Sequence, residues 1–536
     1  MRSTRSFALV VFLAVFSASV CYGATVTGTV KGPDNTPFMG AFVQAQNLKT
    51  RIAVNVLTDK QGRYRLESLP AGEYQLKVKA VGFKSNSQDG VSLTQEQSAS
   101  FDFALQKGIV RWADLSMYQA QTLLPEGKGK DLLFGTCASC HGFQTRMAST
   151  GRDLEGWKDR VNYMRQFVHF FLTPSFTDQN AADVASYINS AFGVDSQLPR
   201  SPAEMPGYEN TVHHFSDEAM KIVYVEYDMP GPDRMPWSAV PYKDGNVWIP
   251  DWSANRIGRL NPKTGEVQEW PAPYEGSGAL AIHSAFPAPD GTVWFTEQGV
   301  NKLGRWDAKT QKITEYADTY EPGKEGLLSG GSKHTVRLDG FGNVWSSGSP
   351  LSRLDPETGK YTHIAEVPNA YSIDIDKDGN IWFSMPGPGQ IGKVDAKTLK
   401  VTKWDPPTPN NAARRIIIDS DGNIWFGEYT IGKVARFDPK TATFKEYTLP
   451  GPPEHVRPYA IQMDKNKNLW YSSYDLDVLG RLDPNTGQVT EYPWTHTENM
   501  NREFFLDPEG RMWYASGANN KVGYFYLAGA SLRASK

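Results

Sequence analysis

A multidomain, mainly β chain is what this sequence predicts: an N-terminal β-sandwich, a small all-α domain and a C-terminal seven-bladed β-propeller. Three observations lead there. The 536 residues exceed what one hydrophobic core usually organises. The 15 Trp, 48 Gly and 35 Pro describe many short strands joined by turns. A tryptophan-centred unit also recurs through the C-terminal part of the chain, at Trp248, Trp294, Trp345, Trp382, Trp425, Trp470 and Trp513.

Taken in order, Met1 to about Ala24 carries Arg2 and Arg5 ahead of the apolar run Phe7 to Val20, with a small-residue exit near Gly23. This reads as a secretory signal at 1–24, because the apolar core is shorter than the ~20 residues a span requires. Bulky Val20 before Cys21 argues against a lipid anchor. The expected location is periplasmic or secreted, with no transmembrane span once the signal is cleaved. A net charge of -3 gives no electrostatic reason to expect nucleic acid as a partner.

Residues 25–106 hold short strand candidates at Thr25 to Val30, Ala41 to Gln46, Ala53 to Thr58, Arg63 to Leu66 and Tyr74 to Ala80, separated by Gly, Pro, Asn and Asp turns. Tyr74, Leu76 and Val78 alternate with Gln75, Lys77 and Lys79, giving one buried and one wet face. The phrases Val26-Thr27-Gly28-Thr29-Val30, Thr58-Asp59-Lys60-Gln61-Gly62-Arg63-Tyr64 and Leu69-Pro70-Ala71-Gly72-Glu73-Tyr74 are similar to the carboxypeptidase regulatory-like β-sandwich family. That resemblance implies a folding or docking module and brings no catalytic residue.

Residues 107–196 carry the chemistry. With Cys21 removed, Cys137 and Cys140 are the remaining cysteines, too few for a four-thiolate zinc site or a disulfide framework. A thioredoxin-like redox pair stays arithmetically open. Cys137-Ala138-Ser139-Cys140-His141, however, is the attachment pattern for c-type haem: two thiols add across the vinyl groups and the adjacent His reaches the iron. Gly129-Lys130-Asp131-Leu132-Leu133-Phe134 leads in as a short helix would. Downstream, Trp157, Val161, Met164 and Val168 share one face of a helix beginning near Asp153. After Thr173-Pro174 a last helix, capped at Thr177 or Asp178, buries Val184, Ile188 and Phe192. The segment resembles a class I cytochrome c domain, which implies one covalent haem c held by Cys137, Cys140 and His141. Met164 is the chosen second axial ligand, with Met147, His169 and Met205 as rivals. Residues 197–214 form a linker whose Pro199, Pro202 and Pro206 predict a stiff, short connection and a fixed pose.

Residues 215–530 repeat Gly-Asn-hydrophobic-Trp, a turn, a phrase such as Ile257-Gly258-Arg259-Leu260, and a closing Glu-Trp or Glu-Tyr strand. Seven such units suit the blades of a propeller. Val293-Trp294-Phe295-Thr296-Glu297 and Asn301-Lys302-Leu303-Gly304-Arg305 resemble the virginiamycin B lyase (streptogramin lyase) family. That family implies a His eleven residues before the unit Trp, a Glu two before that His, and a second Glu three after the Trp, the carboxylates holding Mg2+.

Here the eleventh position is filled in turn by Trp237, His283, His334, Tyr371, Arg414, Tyr459 and Arg502. His283 has Glu297 at the family's spacing, but Ala281 stands where the first Glu belongs. His334 has Ser332 before it and Gly348 where the second Glu would be, and Arg414 has Glu428 but is no His. His283, Glu297 and His334 are therefore the weak catalytic candidates of an incomplete set. A hard cation wants several oxygens, so the residues argue against Mg2+. The seven side chains nevertheless predict a polar, partly cationic channel.

The leading expectation is haem-mediated electron transfer, with the propeller as a platform for a redox partner protein or a small-molecule substrate. A haem-linked dehydrogenase would need a second redox group. The alternatives are a lyase opening a cyclic lactone or ester, and a non-catalytic binding protein.

Overall fold

The computed structural model describes residues 23–172, 175–276, 278–320 and 332–529. The signal segment, apart from Gly23 and Ala24, lies outside the described residues, as do Thr173 and Pro174. No helix among the described residues is long and apolar enough to cross a membrane. The protein is mainly β, with an N-terminal β-sandwich-like domain, a C-terminal propeller and a helical segment between them.

In the sandwich one layer orders Arg63–Leu69, Ala24–Lys31 and Ser98–Ser100, and the facing layer orders Ala53–Leu57, Phe42–Asn47, Gly72–Lys79 and Asn86–Leu93. Tyr74, Leu76 and Val78 point into the core between them, beside Val26, Val43 and Leu66, as the alternation predicts. Strand Asn86–Leu93 is absent from the sequence reading, because its Asn, Ser, Gln, Asp and Gly carry no apolar alternation; five of its eight residues are exposed in a row.

Six four-stranded antiparallel sheets follow around the propeller axis, the first built from Val240–Pro241, Val247–Asp251, Arg256–Leu260 and Val267–Pro271. Every repeat Trp sits second in its blade's second strand, and all seven of those strands are buried along their whole length. In two blades the Gly of a Leu-Gly-Arg phrase is there for room. A Cβ on Gly304 would stand 2.2 Å from the Phe295 ring, and one on Gly480 2.0 Å from Tyr471.

In five blades an Asp six residues before the Trp accepts the indole N–H, as Asp419 Oδ2 does from Trp425 Nε1 at 2.8 Å. Asp419 also holds its own turn through the backbone amides of Asp421 and Asn423. Asp419→Ala is therefore expected to cost about 1–3 kcal/mol, because it orphans a buried donor. A melting temperature equal to wild type would refute this.

The seventh blade is closed from the other end of the chain. Phe505–Leu506, Met512–Ser516 and Lys521–Leu527 are completed by Ile222–Asp228, which precedes the first blade. Ile222–Asp228 then pairs on its outer edge with Ala53–Leu57 of the sandwich, Val223 opposite Val56 and Glu226 opposite Ala53. One eight-stranded sheet thus runs from propeller to sandwich. This hides the edges that each would otherwise expose.

The helical segment comprises Met117–Leu123, Lys130–Leu132, Ala138–His141, Leu154–Phe167, His169–Leu172 and Asp178–Phe192, joined by wide turns at Leu133–Cys137 and Gln144–Ala148. Asp153 caps the longest helix of the first four through Gly156 N–H, and Thr177 caps the last. Its core includes Met235, Trp237, Trp252, Ala279 and Ala281 of the propeller, so the helices are seated on the propeller rather than tethered to it. The segment read as a linker is itself packed: Ser201, Pro202 and Tyr208 are buried, and Trp112 Nε1 donates to Pro199 O at 2.9 Å. Burial, together with the prolines, fixes this connection.

Candidate metal centre and propeller axis

The Cys-x-x-Cys-His segment is a single tight turn of helix ending at Gly142, whose φ of +64° suits glycine. A Cβ there would also meet Glu498 of the propeller at 2.7 Å, so glycine allows the close approach. His141 is buried, and its Nδ1 lies 2.9 Å from Gly142 O. A carbonyl only accepts, so Nδ1 carries the proton and Nε2 keeps the lone pair. Burial, aided by the nearby Arg146 cation, pushes the imidazole down to about 4. Burial likewise pushes the Cys137 thiol up to about 12 and raises Cys140.

Cys137, Cys140 and His141 all line one pocket, walled by Trp157, Val161, Val168, Leu172, Val184 and Ile188. Met164 and Met147 line it as well, whereas His169 and Met205 are not among its lining residues. His169 is exposed and packs edge-on to Phe170 beside Gly278. Arg146 and Arg160 also reach this wall, and Arg146 Nε has no hydrogen-bond partner. The two arginines were missed by the sequence reading, which followed apolar periodicity and gave polar positions no weight.

The seven positions eleven residues before each repeat Trp do meet around the axis. The ring centroids of Trp237 and His283 are 5.4 Å apart, those of His283 and His334 3.7 Å, and those of His334 and Tyr371 4.2 Å. The Arg414 guanidinium lies 5.1 Å from Tyr371 and 5.3 Å from Tyr459, whose hydroxyls hydrogen-bond to each other. Arg502 closes the circle at 4.8 Å from Tyr459 and 4.7 Å from Trp237. Burial drives both histidines well below their ordinary value, so they are neutral.

Glu297 does not join His283. Although it stands opposite Ile282 in the ladder, its charged neighbours are Glu315 and Lys302, and burial pushes its carboxyl up to about 8. Glu428 repeats the arrangement with Glu446 and Lys433, also at about 8. Among the described residues no group of three or more His, Cys, Asp or Glu could hold a metal ion.

What the sequence reading missed is the contact between these two places. The Cys-x-x-Cys-His turn covers the mouth of the axial ring: Arg502 Nη2 donates to Ser139 O at 2.5 Å, and the Tyr474 hydroxyl donates to the same carbonyl. Thr145 N–H donates to Glu498 Oε2 at 3.1 Å, and Tyr118 N–H to Asp475 O at 2.8 Å. Trp252 packs against Phe167 and Phe170. A signal existed: Trp252, Tyr429 and Tyr474 each stand four residues after a repeat Trp, marking a second tier of aromatic side chains at the mouth.

Residues 359–533 match the virginiamycin B lyase family and residues 25–106 match the carboxypeptidase regulatory-like domain. Among solved structures, a streptogramin B lyase is 24% identical with a TM-score of 0.52, covering 58% of this chain and 100% of its own. Virginiamycin B lyase from Staphylococcus aureus is 24% identical with a TM-score of 0.51, covering 57% of this chain and 99% of its own. These likenesses establish the propeller fold. No curated protein matches the chain.

Proposed function

We propose that the protein is an exported c-type cytochrome that transfers electrons, with a haem-bearing helical domain seated on a propeller that serves as its platform. The observation that carries this reading is the convergence of Cys137, Cys140 and His141 on one wall of a mostly apolar pocket. Three features of the donor set support haem c. Two thiols stand one helical turn apart, an imidazole is oriented by its Nδ1–H bond, and the remaining wall is mostly apolar. Arg146 and Arg160 would face the carboxylates such a group carries.

Bound haem would supply one-electron chemistry. Cys137 and Cys140 would anchor it, and His141 would ligate from Nε2. Met164 would supply the second ligand from the helix Leu154–Phe167, with Met147 as its rival on the same wall. The apolar lining would exclude water and favour the less charged state. The axial ring carries two imidazoles, His283 and His334, but Ala281 and Ser332 stand where the lyase family's first Glu belongs and the charged neighbours of Glu297 are Glu315 and Lys302, so electron transfer is preferred to lactone opening.

The test is a visible spectrum, oxidised and reduced, of protein expressed in a host that matures c-type cytochromes. A Met164→Ala variant should keep its haem and lose the weak red band of iron-methionine ligation. Protein without covalent haem would end the reading. A variant that retained the band would move the ligand to Met147.

A further inference from the structure

Resting on the haem reading, we infer that Arg502, at the propeller axis, is a positioning residue that seats the haem turn and raises the reduction potential of the centre. The geometry is unusual for a charged side chain. Arg502 is buried, yet its polar contacts are the Ser139 carbonyl and the Tyr474 hydroxyl at 2.6 Å, and no carboxylate pairs with it among the described residues. Three aromatic faces surround it instead: Trp237 at 4.7 Å, Tyr459 at 4.8 Å and Tyr474 at 4.8 Å. Aromatic faces stabilise a cation without neutralising it.

Ser139 is one of the two residues between the attachment cysteines, and Arg502 acts electrostatically on the Cys140 sulfur. An unneutralised positive charge held in a low-dielectric site at this range disfavours a positive charge on iron. Reduction removes one such charge, so the field of Arg502 favours the reduced state. The neighbouring groups do not cancel it. His283 and His334 are neutral, Glu503 is paired with Arg415 at 3.2 Å, and burial pushes Glu498 up to about 8. The propeller thereby acts on the haem from outside the haem domain.

The experiment measures haem content and midpoint potential by spectroelectrochemistry on the full chain and on Arg502→Met, Arg502→Lys and Tyr474→Phe. All four are expected to carry haem. Arg502→Met should lower the reduction equilibrium constant by about tenfold, a shift of about 59 mV to more negative potential for one electron. Arg502→Lys, which keeps the charge, and Tyr474→Phe, which removes the second hydrogen bond to Ser139 and the hydroxyl that accepts from Arg502 but leaves the guanidinium charge in place, should stay close to wild type. A wild-type potential in Arg502→Met overturns the inference, as does an equal shift in Tyr474→Phe, which would assign the effect to loop geometry. Haem loss confined to Arg502→Met also overturns it. Absence of haem from the wild-type chain defeats the haem reading itself, and is told apart by the haem assay alone.

Discussion

Replacing both Cys137 and Cys140 by alanine is expected to abolish the covalent chromophore while leaving the β domains folded. The two thiols lie on the cavity wall and not in a structural bond; neither forms a disulfide. Their loss removes two small half-buried groups from the wall of a pocket, so the cost to packing is small. The proposed haem, by contrast, would have no other covalent anchor. On denaturing gels the wild-type chain should show haem-dependent peroxidase staining and the double variant none, with far-ultraviolet circular dichroism unchanged. His141→Ala should keep the staining but lose the low-spin spectrum. Staining of the double variant would mean that the chromophore is attached elsewhere, and the assignment of this turn would fall.

The second large effect concerns stability and belongs to Glu226. This carboxylate is fully buried in Ile222–Asp228, where the sandwich and the seventh blade share a sheet. Its Oε1 accepts from Thr495 at 2.5 Å and Tyr514 at 3.0 Å. Its Oε2 lies 3.2 Å from Asn55 Nδ2 and 3.3 Å from His496 Nε2. Asn55 belongs to the sandwich and the other three to the propeller, so a single side chain ties both. Glu226→Leu leaves four buried or half-buried polar groups without their partner and is expected to cost about 3–5 kcal/mol, the range for breaking a buried pair. Thermal melting should fall by several degrees, and an unchanged melt would refute the role.

The same residue sets an acid limit. Burial alone would raise its carboxyl, but the His496 and Lys521 charges and the Thr495 hydroxyl hold it far below the usual carboxylate range. A folded value below the unfolded one means that the contribution is complete above the unfolded value of about 4.5 and is lost as pH falls toward the folded one. Wild type should therefore lose melting temperature more steeply than Glu226→Gln below that pH. Parallel curves would show that Glu226 carries no net linkage.

The periodic parts of the fold were legible in the sequence. The repeat Trp marks the second strand of all seven blades because each blade buries that strand on both faces and tolerates little variation there. The axial ring was legible by the same logic: a fixed offset from the Trp is a fixed place on the strand, so seven offsets become one circle. The helix from Leu154 followed from its cap at Asp153 and its apolar face. Strand Asn86–Leu93 and the strand Ile222–Asp228 that closes the ring were not readable, since the first lacks apolar alternation and the second serves a blade nearly three hundred residues away.

By itself, then, the sequence determined the local chemistry: thiols and imidazole at haem spacing, a tryptophan repeat, and an axial set without the lyase family's first carboxylate. Only the tertiary structure decided that Cys137, Cys140, His141 and Met164 border one cavity, that the buried Glu297 carboxylate has Glu315 and Lys302 as its charged neighbours, and that Arg502 touches the turn carrying Ser139. The reason is physical. Spacing along a strand or helix fixes which side chains share a face, whereas the meeting of two domains depends on the apolar surface that each leaves uncovered, and that surface exists only once both have folded.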